Sequence, residues 1–238
     1  MPRLGVNVDY VATLRQPRRT RFPDPVAAAA AAERAGASEI KVHLRGDRRH
    51  IQERDLMVLR ETVTTTLNLQ LAATQENLKI AYEVKPGAVT LVPERSDEMT
   101  TERGLDVGQH REHLKKYIVN LAEGEIEGIL FVEPDIEQIR LAHRVEAPAV
   151  ELNTSSYAEA RDGLSRRGEL QKIVDSARAA TKLGMRVSAG HRLDYHNISN
   201  LVAIGDISQF NVGHAIVSRA LFSGFEGAVR DMASLVGR

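Results

Sequence analysis

The chain has 238 residues, 42% of them hydrophobic and 27% charged, enough to bury a sizeable core as one α/β domain or two small ones. Lys plus Arg equals Asp plus Glu at 32 each, which excludes the overall positive field that draws a protein to nucleic acid or to an anionic membrane, so any anion site is local. There is no cysteine for disulfides, thiolate zinc or a cysteine nucleophile, no signal-peptide pattern at "RLGVNVD" and no run of ~18 apolar residues, so a cytoplasmic protein is the expectation.

The first strand-like run is "RLGVNV", followed by "YVATLRQPRRTRF", an arginine-rich stretch read as a long loop over 10–23. Asp24 then precedes Pro25 and an alanine-rich run that stops at Gly36. An N-cap, a proline at the first helical position and a glycine terminator predict a helix there. The strand-like runs "EIKVHL", "LNLQLA", "AVTLV", "ILFVE", "APAVELN", "RVSAG" and "FNVGHA" follow. Helical patterns fall between most of them, at about 51–63, 74–85, 109–123, 135–146, 166–183 and 197–204, and a last one covers about 217–236. A second polar loop, "ERSDEMTTERGLDVG", covers 94–108.

Eight strands alternating with helices, without a linker or a break in composition, predict a single (β/α)8 TIM barrel over residues 1–238, ahead of an open doubly wound sheet. Both polar loops would then lie on the C-terminal face, where lids belong.

Strand side chains alternate between two faces. Asn7 and Asp9 therefore oppose Val6 and Val8; His43 and Arg45 oppose Val42 and Leu44; Asn68 and Gln70 oppose Leu67, Leu69 and Leu71; Glu151 and Asn153 oppose Val150 and Leu152. A single such residue reads most simply as a satisfied core polar group. Four strands doing so together predict a solvated, inward-facing binding cavity, because burying that many polar groups without a ligand costs several kcal/mol.

Two glycine–histidine pairs, Gly190-His191 and Gly213-His214, close the last two strands, and the second opens a helix whose N-terminal N–H groups suit a phosphate. An ordinary strand-to-helix turn explains them equally well. "VHLRGDRRHI" adds His43, Arg45, Arg48, Arg49 and His50 around one strand end, donors suited to a second phosphate or a set of sugar hydroxyls, although Asp47 to His50 also reads as a capped, solvated loop. No metal-ligand spacing is present, and neither a metal nor a cofactor is expected.

Together "GVNVDYVATLRQPRRTRFPDP", "VHLRGDRRHI", "LVPERSDEMTTERGLDV", "AGHRLDYHN" and "NVGHAIVSRALF" closely resemble the pyridoxine 5'-phosphate synthase family, in order and over nearly the whole chain. The resemblance implies a barrel enzyme of vitamin B6 biosynthesis. It would condense 3-amino-2-oxopropyl phosphate with 1-deoxy-D-xylulose 5-phosphate, close the pyridine ring and release phosphate and water, and it would assemble as a homo-oligomer, an octamer.

By the same resemblance Asn7 and Arg18 contact the amino-ketone phosphate, and Gly213 and His214 hold its phosphate. Asp9, Arg45, His50 and Thr100 engage the ketose phosphate. His43 accepts a proton, His191 donates one, and Glu151 is a supporting carboxylate. At the third catalytic position Gln70 stands where the family pattern has Glu. Tyr10 and Asn153 each stand where it has His, and Arg192 where it has Gly. A carboxamide accepts no proton at neutral pH. Two rival expectations therefore stand beside the synthase: a divergent relative that makes a different product from similar phosphates, and a catalytically silent phosphate-binding homologue.

Overall fold

A computed structural model describes residues 1–94 and 103–237. Strands β1 (Arg3–Asn7), β2 (Glu39–His43), β3 (Thr66–Leu71), β4 (Ala88–Leu91), β5 (Glu127–Val132), β6 (Ala149–Asn153), β7 (Arg186–Gly190) and β8 (Gln209–Val212) each pair in parallel with the next. β8 returns to β1, so the sheet closes into an eight-stranded barrel. The helices are α1 (Asp9–Arg15), α2 (Pro25–Arg34), α3 (Glu53–Thr62), α4 (Gln75–Val84), α5 (Arg111–Glu123), α6 (Ile136–Arg144), α7 (Ser155–Glu159), α8 (Gly163–Lys182), α9 (Ser199–Val202), α10 (His214–Ser223) and α11 (Phe225–Val236). The TIM barrel expected from the alternation is the observed fold, and the open sheet is not.

The alternation works as expected. Val6, Ile40, Val42, Leu69, Leu71, Leu130, Val150 and Leu152 are fully buried on the outer face of the sheet, in the core shared with the helices. Among the described residues no helix is long and apolar enough to cross a membrane.

The start of α2 follows its sequence signals. Asp24 accepts a hydrogen bond from the Val26 N–H at 2.9 Å, Pro25 opens the helix, and Gly36 follows with φ of +108°, a conformation that favours glycine.

Three expectations change. The loop expected over 10–23 begins as a helix: Val11, Ala12 and Arg15 form the buried face of α1, and Arg15 pairs with Asp55 at 2.6 Å, both side chains being almost fully buried. A charged residue on the buried face hid that helix from a hydrophobic pattern. Asp9 accordingly stands at the start of α1 and not in β1. The helix expected over 217–236 is two helices, broken at Gly224 with φ of +75°, and the first of them begins already at His214.

Candidate active site

The inner face of the sheet is polar on one side and apolar on the other. Glu39, Lys41, Asn68, Thr90, Glu151, Gln209 and Asn211 are buried inside, whereas Ala88, Ile129 and Ala149 form a small apolar cluster. The Asn68 amide donates to Glu39 at 3.0 Å and accepts from the Thr90 hydroxyl at 2.9 Å. Burial pushes the Glu39 carboxyl above its usual range. Above this layer Lys41 of β2 and Glu151 of β6 form an ion pair, 1% and 3% exposed.

Over that pair, at the C-terminal ends of the strands, lies a cavity of about 590 Å³. β1 and α1 bring Asn7, Asp9 and Tyr10 to it; β2 and its loop bring His43, Arg45 and His50; Gln70 and Glu151 come from β3 and β6. His191 and Arg192 follow β7, and Gly213 and His214 follow β8. Residues distant in sequence therefore converge at one mouth.

One expected residue is not brought there: Arg18 is exposed and lies away from the cavity lining. Thr100 lies outside the described residues. Asn153 faces an adjoining hollow of about 610 Å³, where its amide donates to Glu133 at 2.8 Å; Glu159 and Arg192, 2.7 Å apart, line both spaces.

The site is built by packing and by capping bonds. Asp9 accepts from the Asn7 amide at 2.7 Å and from the His43 backbone N–H at 2.8 Å, which couples β1 to β2. Burial holds its carboxyl above the usual range. Arg15 reaches past Asp55 to the His50 carbonyl at 3.2 Å, so α1 fixes the loop that carries His50. The His50 Nδ1 accepts from the Ile51 N–H at 2.8 Å, so its proton-bearing nitrogen is Nε2, directed away from that bond.

Asp47 accepts from the Arg49 N–H at 3.2 Å and lies 3.4 Å from Arg45. The loop is capped, as one reading of that stretch expects, and Arg45 and Arg49 also line the cavity. Arg48 turns instead to Glu53 at 2.7 Å.

His43 is buried, and its Nε2 has no hydrogen-bond partner among the described residues. Burial, followed by the nearby His50 and Arg45, pushes its pKa down to about 3. The ring is neutral at pH 7 in the protein alone, and its Nε2 is open to a hydrogen bond from or to a ligand. Gln70 is the cross-strand neighbour of His43 and is half-buried in the same wall. Tyr10 packs edge-on to His214, ring centroids 5.1 Å apart, and burial raises its hydroxyl pKa above the ordinary value.

After β7 the chain turns sharply. His191 and Arg192 have φ of +81° and +58°, and the Thr154 hydroxyl donates to the carbonyls of Gly190 and His191 at 2.9 and 2.5 Å. Side chains in that conformation cost about 1–3 kcal/mol and persist where the surroundings over-determine them. After β8 a Cβ on Gly213 would meet the Asn7 Cβ at 3.0 Å, so glycine lets the start of α10 approach β1.

Lys41, Phe131, Glu159 and Asn211 also line the cavity and were not singled out from sequence. Lys41 and Asn211 carried the same signal as their neighbours: Lys41 precedes Val42 and His43 in strict alternation, and Asn211 lies between Phe210 and Val212. Among the described residues no group of three or more His, Asp or Glu side chains is placed to hold a metal ion.

Residues 4–238 match the family model described as "Pyridoxal phosphate biosynthesis protein PdxJ". The chain is 53% identical over 237 residues to the pyridoxine 5'-phosphate synthase of Syntrophotalea carbinolica, covering 100% of this chain and 99% of that one. It is 54% identical over 236 residues to the synthase of Geobacter sp. (strain M21), covering 99% of each. In fold alone it resembles phosphoribosylanthranilate isomerase from Thermotoga maritima, with a TM-score of 0.64 and 11% identity over 100% of this chain and 99% of that one. A mutant tryptophan synthase α-subunit from Pyrococcus furiosus gives 0.66 and 13% over 100% and 98%.

Proposed function

Given that the chain belongs to the PdxJ family of pyridoxal phosphate biosynthesis proteins, we propose that it is a pyridoxine 5'-phosphate synthase, joining 3-amino-2-oxopropyl phosphate to 1-deoxy-D-xylulose 5-phosphate with closure of the pyridine ring. The observation that carries this reading is the open, buried nitrogen of neutral His43 in a cavity that also holds Glu151 and His191. Ring closure needs repeated proton exchange during imine formation, enolisation and dehydration, and His43 takes part in it once a bound substrate anion offsets the burial and cationic neighbours that hold its pKa down.

Two anionic groups have supports at neighbouring parts of the mouth, after β8 and after β2, with β1 between them. The backbone at Gly213, His214 and Ala215 offers the positive end of α10, where the helix dipole and free N–H groups favour a phosphate. Arg45, Arg49 and His50 gather donors at the end of β2 for the other substrate. Asn7, Asp9 and Tyr10 lie between them as substrate contacts, and Arg192 adds a cation at the rim.

A homo-oligomer belongs to the same proposal. Leu221 and Phe222 are 73% and 93% exposed on α10, beside the mouth, and Arg18 stands clear of the cavity of its own chain. A cytoplasmic location fits a biosynthetic enzyme without cysteine.

The test is turnover of the two phosphates by the protein beside its Gln70→Glu variant. Ring product from the natural protein is expected, with a gain in the variant approaching the roughly 10²- to 10⁴-fold that a general base contributes. No ring product at high enzyme concentration overturns the proposal. Neither the different product nor the silent homologue is favoured, since relatives alike over the full chain carry the synthase name.

A further inference from the structure

Asn211 has not entered the chemistry so far, although it is only 6% exposed and lines the cavity. Its carbonyl oxygen accepts from the Gln209 amide nitrogen at 2.9 Å, and Gln209 is in turn hydrogen-bonded to buried Glu39. A carboxylate accepts only, so the chain from Glu39 through Gln209 fixes which end of the Asn211 amide is oxygen. The amide nitrogen of Asn211 then has no hydrogen-bond partner among the described residues.

Its neighbours leave that nitrogen room. In the register of the barrel Asn211 lies between Gly5 of β1 and Gly190 of β7, neither of which carries a side chain. A Cβ on Gly5 would meet the Asn211 Oδ1 at 2.2 Å, and one on Gly190 would meet the Glu151 Oε1 at 2.6 Å and the Asn211 Cβ at 3.1 Å. The Glu151 carboxylate oxygen and the side chain of Asn211 thus flank the bare surface of Gly190.

We infer that Asn211 is a substrate-binding and catalytic residue whose amide N–H donates to the ketone oxygen of the phosphorylated α-hydroxyketone, while Glu151 accepts from the adjacent hydroxyl. The inference rests on the synthase reading for its substrate class. When the carbon beside the ketone loses its proton to a base in the cavity, the C–H electron pair becomes a C=C bond. The carbonyl π electrons then move onto the oxygen. The Asn211 N–H meets that developing charge from a fixed position, as an oxyanion donor does. The buried donor, left open in the protein alone, is satisfied by the substrate.

The experiment compares the natural protein with Asn211→Asp, which keeps the shape and removes the donor, and Asn211→Ser, which shortens the side chain. Three readouts are taken: thermal melting, steady-state kinetics with both phosphates, and exchange of the α-proton of 1-deoxy-D-xylulose 5-phosphate in deuterium oxide followed by NMR. Asn211→Ser is expected to melt near the natural protein and Asn211→Asp lower, since it buries a carboxylate near Glu151, while both remain folded and lose about 10²- to 10³-fold in kcat and in exchange rate, with KM moving far less. Retention of kcat and exchange within about threefold in either folded variant overturns the inference, since one donor in this role contributes far more than that.

If the natural protein yields no ring product, the synthase reading falls and Asn211 is judged by calorimetric binding of the same ketose phosphate. About tenfold weaker binding in Asn211→Asp, one lost hydrogen bond, supports the contact, and unchanged binding overturns it.

Discussion

The lower and upper halves of the barrel interior both bury polar side chains and behave oppositely. Below, Glu39, Asn68 and Thr90 are buried and bonded to one another, and the apolar trio Ala88, Ile129 and Ala149 fills the remaining side. Above, His43 and Asn211 are equally buried but each keeps one nitrogen uncommitted. A buried polar group without a partner carries a desolvation penalty of about 1–3 kcal/mol. The lower half avoids that penalty by internal pairing and is structural. The upper half carries it, and a ligand can remove it.

Lys41 and Glu151 sit on the boundary, and breaking their pair has the largest expected effect. Lys41→Met leaves a buried carboxylate uncompensated and should destabilise the protein by about 3–5 kcal/mol, read by urea unfolding. Adding Glu151→Leu removes the stranded charge and should recover most of that loss. A Lys41→Met protein of unchanged stability would mean that the boundary is wet and the division between the halves false.

The upper half is probed next through pH. The folded pKa of His43 lies near 3 against 6.5 for a free imidazole, so the unfolded chain binds the proton first as pH falls. This contribution to stability is complete above pH 6.5 and is lost progressively between 6.5 and 3, amounting to a value on the order of 4 kcal/mol. His43→Gln should flatten that part of the stability profile and lower kcat by about 10²- to 10⁴-fold. An unaltered profile would remove His43 from the set of buried neutral groups.

The lower half gives the converse result. Thr90→Val leaves the Asn68 carbonyl oxygen without its donor and should lower stability by about 1–3 kcal/mol. Its kcat should change little, because Thr90 does not line the cavity. Arg192→Gly should have the smallest effect on stability, below about 1 kcal/mol: glycine relieves the φ of +58°, while a half-exposed ion pair with Glu159 is lost. Melting temperature reads it directly, and a large loss would show that Arg192 holds the mouth together.

Much of this was legible in the chain. The alternation of "EIKVHL" and "LNLQLA" put His43 and Gln70 on the inner face, and Asp24, Pro25 and Gly36 set the limits of a helix, because these are local effects of backbone geometry. α1 was missed because its buried face carries Arg15, whose partner Asp55 is forty residues away. Asn153 was placed with Glu151 by alternation, but the rim of a barrel opens on more than one space, and Asn153 bonds to Glu133 in the adjoining hollow.

The sequence alone determined which residues share a face, where elements start, and the resemblance to the family, for each depends on neighbours a few positions apart or on the order of motifs. Only the closed barrel decided which inward groups neutralise each other, as Lys41 and Glu151 do across the lumen, and which stay open, as the His43 and Asn211 nitrogens do. That choice depends on strand register and on glycine at positions 5 and 190, which set distances between residues far apart in the chain.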